Sequence, residues 1–184
     1  MTLTEGQILQ LERHFQLLQR WNRALNLTAL KSLKEMCMRH FSEALFLARA
    51  LKRERGSLVD IGSGAGFPGF PLAVVLPAFN VTLVESNRRK AVFLKELARE
   101  QSNVAVFSGR FEELNGRFDW ATIRGVSVGR LLEDIRKKTD NLALLTGDEE
   151  ARKLSACNLW ENSQLVTLPW GKTMLVLARV PRET

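Results

Sequence analysis

Ser57-Leu-Val-Asp-Ile-Gly-Ser-Gly-Ala-Gly-Phe-Pro-Gly-Phe-Pro71 is the stretch whose reading decides the fold. Leu58–Ile61 is a short apolar run of the kind that forms a buried strand. Gly62, Gly64, Gly66 and Gly69 follow at once, and Pro71 then opens the apolar segment Leu72–Pro77. A proline suits the first turn of a helix. Strand, glycine turn and helix start make the first βα unit of a nucleotide-binding fold. Glycine is expected where a ligand approaches the main chain too closely for a Cβ.

The register of the glycines narrows the ligand. A literal G-x-G-x-x-G can be found at Gly64-Ala-Gly66-Phe-Pro-Gly69. A dinucleotide fingerprint needs a helix starting inside that motif, so that its amides face a pyrophosphate. Here Phe67-Pro68 interrupts it, and the series that continues the strand is Asp60-x-Gly62-x-Gly64-x-Gly66. An acid at the strand end suits a ligand carrying a cationic amine better than one carrying two phosphates. No Lys-Ser/Thr follows the glycines, which argues against a P-loop NTPase. Glu85 closes the next apolar run, Val81-Thr-Leu-Val-Glu85, 19 residues past Gly66. That is near the spacing of a carboxylate that grips a ribose diol. Its other reading is an exposed acid balancing Arg88, Arg89 and Lys90.

Outward from this unit, apolar strands alternate with amphipathic helical segments. The strands are Leu58–Ile61, Val81–Glu85, Val104–Phe107, Trp120–Ile123 and Leu142–Leu145. The helices fall near Pro71–Leu76, Asn87–Glu100, Gly129–Thr139 and Asp148–Cys157. This order predicts an α/β fold with a doubly wound, mostly parallel, Rossmann-like sheet. Leu165–Leu168 and Met174–Val180, joined by Pro169-Trp-Gly-Lys172, predict an antiparallel C-terminal hairpin. Upstream, residues 4–25 read as a helix capped by Thr4, with apolar Ile8, Leu11, Phe15, Leu18 and Trp21 or Leu25 at helical spacing. A second helix is expected over Ser32–Leu51, with Ser32 and Glu35 at capping-box spacing. The chain thus divides into an N-terminal helical arm, 1–55, and a compact domain, 56–184.

Net charge is +7 over 184 residues, with a pI near 9.9. The arm carries ten Lys or Arg against five Asp or Glu. This permits a polyanionic partner and equally a merely soluble basic surface. No run approaches the ~20 apolar residues of a membrane span, and Met1–Gln7 lacks a signal-peptide pattern. A cytoplasmic location is expected. Cys37 and Cys157 have no nearby partner, so they read as reduced thiols and as no metal site. His14 lies beside the apolar stripe of the first helix and reads as structural. His40 reads first as a packing or hydrogen-bonding residue rather than a base. Phe111 reads either as a ligand-facing aromatic or as a core plug.

The Asp60–Gly66 series, followed by an acidic end to the second strand, resembles the class I methyltransferases that use S-adenosyl-L-methionine (SAM). More narrowly, the chain resembles the bacterial 16S ribosomal RNA guanine-N7 methyltransferases of the RsmG/GidB type. The likeness is carried by Trp21-Asn22, Leu25–Thr28 and His40, and above all by the unbroken run Asp60–Leu72. Val81–Ser86, Arg89-Lys90, Phe93-Leu94, Gly109–Glu113, Phe118-Asp119 and Ile123–Val126 extend it. The sequence departs from the family pattern at Glu43-Ala44-Leu45, where Asp-Ser-Leu is more usual, at Gly125-Val126-Ser127, and at Thr146-Gly147.

The resemblance implies SAM as cofactor and N7 of a guanine in the decoding-centre region of 16S rRNA as target. The partner would be 16S rRNA or the small ribosomal subunit, met by a monomer. It implies a SAM site drawn from Asp60, Gly62, Gly64, Gly66, Phe67, Glu85, Phe111, Glu112 and Arg124. Phe111 and Glu112 would contact the adenine, and Arg124 would flank the methyl-donor pocket on the substrate side. Arg20, Arg23, Asn26, Arg39, His40, Arg88, Arg89 and Lys90 are the RNA-binding candidates. Guanine N7 carries a lone pair and no proton, so no general base is needed, and alignment supplies the rate. The competing readings are a SAM- and RNA-binding protein without catalysis, and an NAD-dependent oxidoreductase suggested by the same glycines.

Overall fold

The computed structural model describes residues 2–29, 32–51, 55–156, 160–169 and 173–181. Helix α1 (Glu5–Leu25) starts at a reciprocal cap. The Thr4 hydroxyl accepts from Gln7 N–H at 3.3 Å, and the Gln7 side chain accepts from Thr4 N–H at 3.0 Å. This satisfies two of the amides that a helix start leaves bare. The helix stops at Asn26, which is left-handed at φ 47°. Asn22 then brackets Thr28, donating to its carbonyl and accepting from its N–H, both at 2.9 Å.

The expected second helix is present but not uniform. It runs as α2 (Leu33–Met36), a π-helical turn over Cys37–Phe41, and α3 (Ser42–Ala50). The wide turn changes the helical phase at the segment carrying Arg39 and His40. Periodicity alone does not encode such an insertion.

Seven strands follow: β1 (Gly56–Ile61), β2 (Phe79–Glu85), β3 (Val104–Ser108), β4 (Phe118–Arg124), β5 (Thr139–Gly147), β6 (Glu161–Thr167) and β7 (Thr173–Arg179). They form one sheet in the order β3-β2-β1-β4-β5-β7-β6. The first five are parallel; β7 is antiparallel to both β5 and β6. The helices between them are α4 (Gly69–Val75), α5 (Arg88–Ala98), α6 (Leu132–Lys138) and α7 (Asp148–Ala156). The order reverses between β1 and β4, which places a crevice past their carboxyl ends. The antiparallel hairpin is as expected, although its Trp170–Lys172 turn lies outside the described residues, as does Cys157. Cys37 is an exposed free thiol.

Side chains alternate between the two faces of the sheet. Leu58, Leu83, Trp120, Ala143 and Leu175 pack into one apolar cluster. Val59, Val84, Ala121, Leu144 and Val176 pack into the other. The first cluster also takes Leu11, Leu17 and Leu18 from α1, and Met36, Phe41 and Leu47 from the second helical stretch. The arm therefore shares its core with the sheet. Trp21 Nε1–H donates to Glu96 at 3.0 Å, and Arg13 pairs with Glu100, which fastens α1 to α5 and to the turn that follows it. Among the described residues no helix is long and apolar enough to cross a membrane.

A shared core predicts shared unfolding. Leu18→Ala removes a side chain that is 1% exposed and is expected to lower stability by about 2–5 kcal/mol. Circular dichroism and tryptophan fluorescence should report one coincident transition in urea; a separate early transition of the arm would contradict the shared core.

Candidate functional site

Asp60 sits near the end of β1 with its carboxylate buried beneath the glycine loop. Oδ2 accepts from Gly69 N–H at 3.2 Å, and Oδ1 accepts from the Thr122 hydroxyl at 2.9 Å. Burial raises its pKa to about 6, against the opposing pull of its hydrogen bonds and of Arg124. Asp60 thus pins the loop to β4, and it lies below the cleft wall rather than in it. The close approach at Gly69 is demanded by the protein itself. A Cβ there would strike Leu83 Cδ2 and lie 2.7 Å from Asp60 Cβ. Likewise at Gly62, whose φ is +74°, a Cβ would come within 2.5 Å of Val126 Cγ2. Gly66 packs underneath, towards Leu97 and His14.

This arrangement also uses up the start of α4. Gly69 N–H goes to Asp60, Phe70 N–H goes to Gly66 O at 2.9 Å, and Pro71 has none. No amide of that first turn is left for a pyrophosphate, which removes the structural basis of the dinucleotide reading.

Glu85, at the end of β2, is buried rather than an exposed partner of the nearby basic residues. Its Oε2 accepts from Gly64 N–H at 3.0 Å and its Oε1 from Asn87 N–H at 2.8 Å. Each oxygen keeps a lone pair beyond those bonds. The carboxylate is therefore fixed in direction and still able to accept from a diol. Gly62 and Ser63 N–H both bond Val84 O, at 2.9 and 3.0 Å, so the loop turns directly over β2.

The cleft above this loop encloses about 780 Å³. Gly62, Gly64, Phe67, Glu85, Phe111, Glu112 and Arg124 line it, as do Arg39, His40 and Lys90. Phe111 does both things open to it: it is 2% exposed within the second core cluster, and it walls the cleft. Arg20, Arg23 and Asn26 border a separate depression along α1, and Thr28 borders both hollows. Arg88 and Arg89 are exposed at the start of α5 and line neither.

Several neighbours escape a reading of the sequence. Lys138, at the end of α6, donates to Phe111 O at 3.0 Å and Glu112 O at 2.7 Å, with its ammonium 5.1 Å from the Phe111 ring centroid. It braces the turn Phe111–Glu113 from 26 residues downstream, where no local pattern marks it. Arg110 and Arg130 also line the cleft. Glu43 in α3 is 2% exposed and accepts from Arg124 Nε at 2.7 Å. Its departure from the usual Asp-Ser-Leu was the one visible signal.

His14 reaches the loop from the arm. Nε2–H donates to Ala65 O at 2.7 Å, and the ring stacks on Phe67 with centroids 4.5 Å apart. His40 and Phe41 add contacts to the same Phe67 ring at 4.7 and 5.0 Å. Burial lowers the His14 pKa to about 4. Burial, with the charge of Arg124 adding to it, lowers that of His40 to about 3. Both rings are neutral at pH 7, and neither is a proton acceptor of useful strength there. Among the described residues no group of three or more His, Cys, Asp or Glu is placed to hold a metal.

Residues 7–157 match the model of the GidB family, described as rRNA small subunit methyltransferase G. Curated relatives bear the name ribosomal RNA small subunit methyltransferase G. One from Leuconostoc citreum is 35% identical over 73% of this chain and 61% of its own length. One from Xylella fastidiosa is 44% identical over 62% and 54%, and one from Francisella philomiragia is 34% identical over 90% and 78%. The chain spans little more than half to three fifths of the length of the first two. Among solved structures, a mutant of MtNAS in complex with S-adenosylmethionine superposes with a TM-score of 0.61 at 20% identity, over 96% of this chain and 74% of that one.

The pH response of His14 is testable. A folded pKa below the unfolded one leaves stability whole above pH 6.5 and drains it as pH falls towards 4, because only the unfolded chain then takes the proton. Relative to His14→Gln, the parent protein should lose about 2–3 kcal/mol between pH 7.5 and pH 4.5, read from urea unfolding. A difference independent of pH would show that His14 is not held neutral.

Proposed function

Because the chain belongs to the GidB family of rRNA small subunit methyltransferases, we propose that it methylates N7 of a guanine in 16S rRNA, with SAM as the donor. The observation that carries the cofactor assignment is Glu85, aimed by two backbone amides with acceptor capacity to spare for a ribose diol. Phe111 and Glu112, braced by Lys138, provide an apolar face and an acid for the adenine. The Gly62–Ala65 main chain walls the remaining side. SAM, when bound, supplies a methyl group on a positively charged sulfur.

The chain's own contribution is to hold and align. Guanine N7 already has its lone pair, so no residue has to remove a proton. Proximity and orientation can supply several kcal/mol of the barrier. His40 stays neutral beside the donor, so it adds no like charge. Arg124, at the end of β4, flanks the substrate side.

N7 lies on the major-groove edge, which in A-form RNA is too deep and narrow for side chains to read. The target base is therefore unstacked or single-stranded when it enters. Arg39, Lys90, Arg110 and Arg130 at the cleft can take phosphates, and Arg20 and Arg23 along α1 extend the basic track. Arg88 and Arg89 stand further out. In this reading residues 1–55 face the RNA while propping the loop, residues 56–184 hold the cofactor, and the chain acts as a monomer in the cytoplasm on rRNA or the small subunit.

Incubation with labelled SAM and 16S rRNA or small subunits from cells lacking the protein should place label in 7-methylguanosine on nucleoside analysis. Bound SAM with no label in RNA would point to a binding protein instead. Glu85→Ala is expected to raise the SAM dissociation constant at least about tenfold, as loss of charge-assisted hydrogen bonds does. Calorimetry checks this, with circular dichroism confirming the fold; unaltered affinity would remove Glu85 from the site.

A further inference from the structure

Arg124 enters the cleft with its charge already answered. Its Nε donates to Glu43 Oε2 at 2.7 Å, and the Thr173 hydroxyl donates to Glu43 Oε1 at 2.8 Å. Glu43 comes from α3, Arg124 from the end of β4 and Thr173 from the start of β7, so the cluster joins three distant segments. The carboxylate side chain is 3% exposed, whereas the guanidinium side chain is 28% exposed and borders the cleft. A buried carboxylate is costly unless it is paired and hydrogen-bonded, and both oxygens here are.

The Arg124 charge is felt inside the cleft. It contributes to the lowered pKa of His40 and pulls against the burial that raises Asp60. Four more cations, Arg39, Lys90, Arg110 and Arg130, line the same space and outnumber its two acids, Glu85 and Glu112. A cationic donor entering such a cleft meets like charge, and at short range in a partly dry site like charges repel appreciably. Glu43 is the acid that opposes Arg124 directly.

Resting on the SAM reading above, we propose that Glu43 is the countercharge of the donor pocket: it offsets part of the Arg124 charge so that a sulfonium is accepted beside a guanidinium. Glu43 touches no reactant and acts through Arg124; it is a positioning residue that also sets the charge of the pocket. The consequence is selective. SAM and S-adenosylhomocysteine share the adenosine and the amino-acid portion, and differ by one methyl group and the positive charge on sulfur. Loss of the Glu43 charge should weaken the charged donor and leave the neutral thioether almost untouched.

The test is the ratio of dissociation constants, SAM over S-adenosylhomocysteine, by calorimetry at fixed low ionic strength. Glu43→Gln should raise this ratio about tenfold. Glu43→Asp, which keeps the charge, should leave it near the parent value. Arg124→Gln should lower it, and the double variant Glu43→Gln/Arg124→Gln should return it towards the parent. An unchanged ratio in Glu43→Gln, even with both ligands equally weakened, would reduce Glu43 to packing and overturn the proposal. If Glu43→Gln does not fold, Arg124→Gln carries the test, and an unchanged ratio there overturns it equally. If the parent protein binds neither ligand, the SAM reading itself fails, and that result is distinct from an unchanged ratio.

Discussion

A single buried carboxylate governs the path of the chain through the cleft. Asp60 ties Gly69 at the start of α4 to Thr122 in β4. Between Asp60 and Gly69 the backbone has only residues 61–68 in which to leave the strand, turn over β2 and enter a helix. The close contacts at Gly62 and Gly69 follow from how tightly the loop is drawn in. So does the position of Gly64 N–H, which orients Glu85. Burial raises the Asp60 pKa to about 6, against the pull of its hydrogen bonds and of Arg124. An acid that looked suited to a ligand amine instead bonds Gly69 N–H and the Thr122 hydroxyl beneath the wall of the cleft.

The arm completes what Asp60 begins. Ala65 O, left over by the turn, is taken by His14 from α1. Phe67 is enclosed by His14, His40 and Phe41, all from the helical arm. The imidazoles contribute as neutral, flat, half-polar surfaces: His14 bonds the Ala65 carbonyl and His40 meets the Thr28 hydroxyl at 3.3 Å, while both rings pack on Phe67. The first helices thus support the glycine loop on one side and set Arg20 and Arg23 along a separate depression on the other. Substitutions on the buried side of α1 act on the loop, and those on the basic side need not.

Local patterns announced much of this. Leu58–Ile61 with its glycines, the acid closing β2 and the strand–helix alternation all have short-range signatures, and the structure carries each. The π turn at Cys37–Phe41 has none, because its extra residue is accommodated by packing around His40 and Phe41 rather than by propensity. The direction of the Asp60 carboxylate is settled by Thr122, 62 positions away. Glu43 and Arg124 meet across 81 positions, and Thr173 reaches Glu43 across 130. Pairings of that range come from topology, and a linear reading sees the residue types without the meeting.

The place of β7 bears on how the molecule is made. It follows β6 in the chain but lies between β5 and β6 in the sheet. During vectorial synthesis β6 therefore emerges with nothing to pair with, and β5 keeps an open edge until β7 arrives to bridge them. N-terminal segments can condense first, so the glycine loop, its aspartate pin and its arm-borne props can be in place on a nascent chain. The Thr173 bond to Glu43 cannot, since it waits for the last strand to insert. The support of Arg124 through Glu43 is thereby completed only once β7 is in the sheet, after the segments that build the glycine loop have been made.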